Sequence, residues 1–134
     1  MGKLRVVDDV LNDKKLCISA AIVVGIFIFY FSSLPGTDVP KTKIPLLSVA
    51  YHLIAFLLFT SFILLSLTNP SLNRELIAFG LVFALFYALT DEIHQIFVPF
   101  RDASLFDLFV DSVGILIAFS LVFWLRETRR ADKP

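Results

Sequence analysis

Six ionisable side chains in this chain stand inside otherwise apolar runs. His52 lies in one run, Asp91, Glu92 and His94 in the next, and Asp107 and Asp111 in the one after that. Each costs roughly 2.5–3.5 kcal/mol near the centre of a membrane-spanning helix, so each calls for a partner or a task. Imidazoles beside carboxylates are equipped for proton transfer. His52, Glu92 and Asp107 are therefore the catalytic candidates, with His52 or His94 as general base and Glu92 and Asp107 as paired carboxylates. Arg101 offers a fork for an anionic group. Ser33, Asp91, His94, Gln95, Ser104 and Asp111 complete the candidate binding residues. His52 with Asp91, Glu92 or Asp107 also forms a mixed imidazole and carboxylate set of a kind that suits several divalent ions. No ligand spacing argues for a metal, no cofactor is evident, and there is no Gly-rich phosphate loop, His-Glu-x-x-His or Cys-x-x-Cys.

The elements that must carry these residues follow from composition. The chain has 134 residues, 57% of them apolar and 18% charged, with 15 Phe; mean hydropathy is +0.83. A soluble domain would need a charged surface that this chain lacks. Zero formal net charge offers no basic face for nucleic acid. One Cys permits no intramolecular disulfide. Four runs approach or exceed the roughly 18–20 residues needed to cross a bilayer: Leu16–Leu34, Leu46–Leu67, Glu75–Val98 and Leu105–Leu125. The expected fold is an all-α integral membrane bundle of four transmembrane helices over 16–125, with an N-terminal segment 1–15 and a tail 126–134. The first run is longer than the usual signal-peptide core and no A-x-A-like site follows it, so it reads as a retained helix.

Charge sets the expected orientation. Both termini share a side with the Asn69–Arg74 turn. That side holds nine Lys and Arg, namely Lys3, Arg5, Lys14, Lys15, Arg74, Arg126, Arg129, Arg130 and Lys133. The other side holds three, Lys41, Lys43 and Arg101. The positive-inside rule then puts both termini in the cytoplasm of a multi-pass cell-membrane protein. At about 1.5 Å of rise per residue, His52, Asp91, Glu92, Asp107 and Asp111 all fall in the outer third, with Ser32 and Ser33 at the same level. Ser104, Asp107, Asp111, Gly114 and Ala118 follow spacings of three, four, three and four, a small-and-polar stripe that should face other helices. Ala84, Ala88, Asp91 and Gln95 form a second stripe, with Glu92 beside it. Plainer readings are that a carboxylate snorkels to the headgroups, or that Arg101 neutralises one across a turn.

The run Thr90-Asp91-Glu92-Ile93-His94-Gln95-Ile96-Phe97-Val98-Pro99-Phe100-Arg101-Asp102-Ala103-Ser104, followed by Asp107 and Asp111-Ser112-Val113-Gly114, closely resembles the hallmark of VanZ-like proteins. Ser32-Ser33-Leu34-Pro35 and Tyr51-His52 resemble that family's Ser-x-x-Pro helix end and second-span His. The resemblance covers roughly residues 16–125 and departs at Ser48-Val49, where the family usually has Asp-Lys, and at Asp111, where it often has Asn. It implies a bacterial or archaeal membrane protein of a family named for low-level teicoplanin resistance.

Three function classes are compatible with these residues. One is an enzyme or binding site for an envelope or lipid-linked substrate, with a possible link to glycopeptide resistance. Another is a non-enzymatic accessory protein that binds a glycopeptide or a partner. The third is an ion or proton pathway, against which Gly114, Ala118, Ala84 and Ala88 offer no ionisable step further in.

Overall fold

A computed structural model describes residues 12–37, 45–68 and 73–131. The N-terminal segment expected before Asn12 and the Asn69-Pro70 turn lie outside the described residues. Four helices, each long and apolar enough to span a membrane, make up the described chain: α1 (Lys14–Ser32), α2 (Pro45–Leu67), α3 (Arg74–Gln95) and α4 (Leu105–Ala131). No strand occurs among the described residues.

Local chemistry explains the boundaries. Asp13 caps α1, its Oδ1 accepting from the backbone N–H of Lys15 and Leu16 at 2.9 and 3.1 Å. Asn73 caps α3 in the same way through Glu75 and Leu76. Such caps satisfy N–H groups that have no partner within the helix. Pro45 opens α2, where a missing N–H costs nothing. Two boundaries differ from expectation. α3 ends at Gln95 rather than Val98, because the chain tightens into three-residue turns (Phe97 N–H to His94 O, Val98 N–H to Gln95 O) ahead of Pro99, whose ring disfavours helix in the residue before it. α4 does not stop at Leu125 but continues through Arg126 to Ala131, since nothing in Arg126–Ala131 breaks a helix.

α2 and α3 each touch the other three helices, while α1 and α4 lie on opposite sides of that pair. With lipid outside, no hydrophobic force drives the helices together, and close packing of small residues must do so. The α2–α4 contact rests on Gly114, where an added Cβ would lie 2.6 Å from Leu53 O and 3.2 Å from Leu57 N. Gly25 lets Phe59 approach α1, and the Tyr87 hydroxyl donates to Gly25 O at 2.8 Å. Ala84, Ala88 and Ala118 are fully buried. Phe79, Phe86 and Phe109 point outward. Both small-residue stripes thus face inward and the large apolar side chains face the surroundings, the inverse of a soluble domain.

One end of the bundle carries Lys14 and Ala131 and is called the terminal end below. At the other, polar end, the last turns of α1 and α3 meet the first turns of α2 and α4.

Candidate functional site

The polar end is assembled around the start of α4. Ser104 is its cap: Ser104 Oγ accepts from Asp107 N–H at 3.1 Å, and Ser104 O accepts from Leu108 N–H. A Ser with an acid three residues on usually closes a capping box, the acid reaching back to the cap's own N–H. Here Glu92, from α3, takes that N–H instead, its Oε2 accepting from Ser104 N at 2.7 Å. The Asp107 carboxylate is thereby left to turn toward His52, with its Oδ2 4.0 Å from His52 Nε2. The opposite ring nitrogen, Nδ1, is 3.0 Å from Asp111 Oδ1. His52, Glu92 and Asp111 are buried, at 4%, 4% and 0% exposure. Glu92 Oε1 and Asp111 Oδ2 are buried with no hydrogen-bond partner among the described residues. One donor atom from each of His52, Glu92 and Asp107 lies within 4.8 Å of the others.

His52 also borders a second feature. A cavity of about 830 Å³ runs between α1 and α2, lined on its apolar length by Val24, Phe27, Ile28, Leu47, Ile54, Ala55 and Leu58. From Val24 to Leu34 it covers ~15 Å of helix, about half of a bilayer's hydrocarbon core. Its polar lining, Ser32, Ser48, His52, Asp91, Gln95 and Arg101, is gathered at one end. Within that lining Gln95 Nε2 donates to Asp91 Oδ2 at 3.2 Å.

The structure therefore sorts the candidates into three places. His52, Glu92, Ser104, Asp107 and Asp111 form an acidic group at the start of α4. Asp91, Gln95 and Arg101 line the cavity, and His52 belongs to both. Ser33 and His94 form a separate pair, Ser33 Oγ lying 3.0 Å from His94 Nε2 while the imidazole stacks on Phe29 at 4.8 Å. Among the described residues Arg101 neutralises no carboxylate. It donates from Nε to Leu34 O at 3.2 Å and from Nη2 to Phe31 O at 2.8 Å. Those carbonyls sit at the C-terminal end of α1, where the helix is partially negative and a cation is favoured. The salt bridges among the described residues both involve His52.

The cavity wall was not legible as a site. Its apolar residues look like any lipid-facing helix surface in sequence. Tyr51, edge-on to both Phe31 and His52, carried only the hint of its place beside His52.

Residues 17–126 match the family model described as VanZ/LLP1. No curated protein and no solved structure matches the chain.

Proposed function

The chain belongs to the VanZ/LLP1 family and has four membrane-spanning helices, and from that premise we propose that it binds or acts on a lipid or lipid-linked molecule at its polar end. The observation that carries this reading is the cavity between α1 and α2. Its volume falls within the ~300–1,000 Å³ of small-molecule sites, and its lining is divided as a lipid is divided. An acyl or prenyl chain lies against Val24, Ile28, Ile54 and Leu58. The polar head meets Asp91, Gln95, Arg101 and His52, and the guanidinium N–H groups of Arg101 beyond those given to Leu34 O and Phe31 O suit an anionic group. The charge bias supports placing this end at the outer leaflet of a bacterial or archaeal cell membrane. There the occupant is an envelope lipid or a lipid-linked precursor, through which the chain would influence glycopeptide susceptibility, teicoplanin included.

The test is retention of lipid. Protein purified from membranes in mild detergent should carry one polar-headed lipid species enriched over the bulk membrane, identified by mass spectrometry of the extract. Ala50→Phe, which fills the cavity from α2, should lose that species while eluting as a folded protein. Wild-type protein carrying only bulk membrane lipid, or equal retention by the variant, overturns the proposal.

A further inference from the structure

The acidic group on the far side of His52 has a charge problem that the cavity does not solve. Asp91, Glu92 and Asp111 are all buried. Lys and Arg supply no salt bridge to them among the described residues, and two of the guanidinium nitrogens of Arg101 are engaged by backbone carbonyls. Burying carboxylates without a compensating charge is costly. The imidazole of His52 can offset at most one charge. Glu92 is 96% buried, and after Oε2 takes the Ser104 N–H, its Oε1 has no partner.

Orientation of the imidazole supplies the second half of the argument. An ionised Asp111 can only accept, so it assigns the proton to Nδ1, 3.0 Å from Oδ1, and puts the lone pair of His52 on Nε2, 4.0 Å from Asp107 Oδ2. A carboxylate behind a histidine, fixing its tautomer and raising its basicity, is the usual support of a metal-ligating imidazole. Donors held tetrahedrally by one Zn²⁺ at about 2.0–2.2 Å sit ~3.4 Å apart. His52 Nε2 and Asp107 Oδ2, at 4.0 Å, are ~0.6 Å wider than that. The widest pair, within 4.8 Å, needs a closure of up to ~1.4 Å. Asp107, at 23% side-chain exposure, has the freedom to make it.

We propose that His52 Nε2, Glu92 and Asp107 bind a divalent cation, with Asp111 as the positioning residue behind His52. An imidazole with two carboxylates favours Zn²⁺ or Mn²⁺ over Mg²⁺, which prefers oxygen donors and its own waters. Two carboxylates neutralise the ion, and the ion gives the buried Glu92 its counter-charge. Three protein donors leave a position open for water or a headgroup oxygen, as in catalytic rather than structural zinc sites. The proposal does not need the lipid reading. A protein that binds the ion and retains no lipid refutes the cavity's role alone.

The test uses full-length protein in nanodiscs, stripped with chelator and reloaded with Zn²⁺. Elemental analysis should give about one Zn²⁺ per chain, with a rise in Tm on reloading; Co²⁺ should give visible absorption bands of a low-symmetry site. Asp107→Asn, at the most exposed of the three ligands, should weaken binding at least 10-fold. Asp111→Asn should weaken it about 10–100-fold, the usual effect of removing a carboxylate behind a ligand. His94→Gln, away from the trio, should keep full stoichiometry and guards against adventitious binding to histidine. Wild-type protein with neither stoichiometric Zn²⁺ nor a Zn²⁺-dependent Tm overturns the proposal, whatever the variants do. Unaltered binding by Asp107→Asn overturns it too.

Discussion

Arg126 at the terminal end and Arg101 at the polar end perform the same structural task. Arg126 reaches from α4 to the end of α2, donating from Nη2 to Leu65 O at 3.2 Å and from Nε to Thr68 Oγ1 at 3.2 Å. Its Nη1 reaches Asn12 Oδ1 at 2.6 Å. Arg101 does for α1 what Arg126 does for α2. The ends part company in their acids. At the terminal end Asp13, Glu75 and Glu127 are exposed, while Ser66 and Thr68 donate back to their own helix at Ile63 O and Leu64 O. At the polar end three carboxylates are buried, and two of their oxygens lack partners among the described residues. In each case the arginine serves the scaffold. The terminal end uses its polar groups to finish helices, whereas the polar end holds reserve capacity that a folded scaffold does not need. A buried polar atom left unpaired in a native protein calls for such an explanation.

That contrast can be broken at several points. The largest expected effect is at the terminal end: Arg126→Met removes three charge-assisted hydrogen bonds and should destabilise by about 3 kcal/mol. Thermal unfolding in detergent measures it, and lipid retention per folded molecule should stay normal. Gly114→Ala comes next. Its methyl would press on the α2 backbone at 2.6 Å from Leu53 O, which overpacks the α2–α4 contact at about 2 kcal/mol and should lower abundance in membranes.

Arg101→Lys should cost about 1–2 kcal/mol, since Lys cannot copy two directed bonds to Leu34 O and Phe31 O. A Tm equal to wild type would show that Arg101 is not needed by the scaffold. The smallest stability effect belongs to Glu92→Gln. Gln keeps an acceptor for Ser104 N–H and removes an uncompensated charge, so unfolding should shift by less than about 1 kcal/mol. Glycopeptide susceptibility or lipid turnover in cells should nevertheless change. Loss of abundance in step with loss of phenotype would make Glu92 a structural residue and erase the difference between the ends. Membrane sidedness is separable from all of these: cysteine at Asp102 should react with an impermeant reagent in intact cells and cysteine at Asn73 should not. The reverse pattern turns the polar end to the cytoplasm.

Much of the architecture could be read from the chain because a bilayer leaves few choices. Backbone groups in hydrocarbon must bond within their own helix, so four long apolar runs mean four helices. The inward faces were legible too, since only small residues at helical spacing allow close packing, and Ala84, Ala88, Gly114 and Ala118 mark it. Pairing was less legible. Arg101 could be expected to seek a carboxylate, but the nearest unmet demand in space was the carbonyl end of α1, from a helix some seventy residues earlier. His94 has the same composition-level credentials as His52 yet stacks on Phe29, because α3 turns its far face there.

By itself, then, the sequence determined the number of helices, their inward stripes and the level at which the ionisable side chains gather, all consequences of periodicity and the cost of charge in hydrocarbon. Only the tertiary structure decided which of those side chains meet. It made Glu92 rather than Asp107 the acceptor for Ser104, and so freed Asp107 to face His52. It also formed the cavity between α1 and α2, whose wall residues are indistinguishable from lipid-facing ones until the helices are set beside each other. Contacts of this kind depend on ångström-scale offsets between helices distant in the chain, and no spacing along a single helix records them.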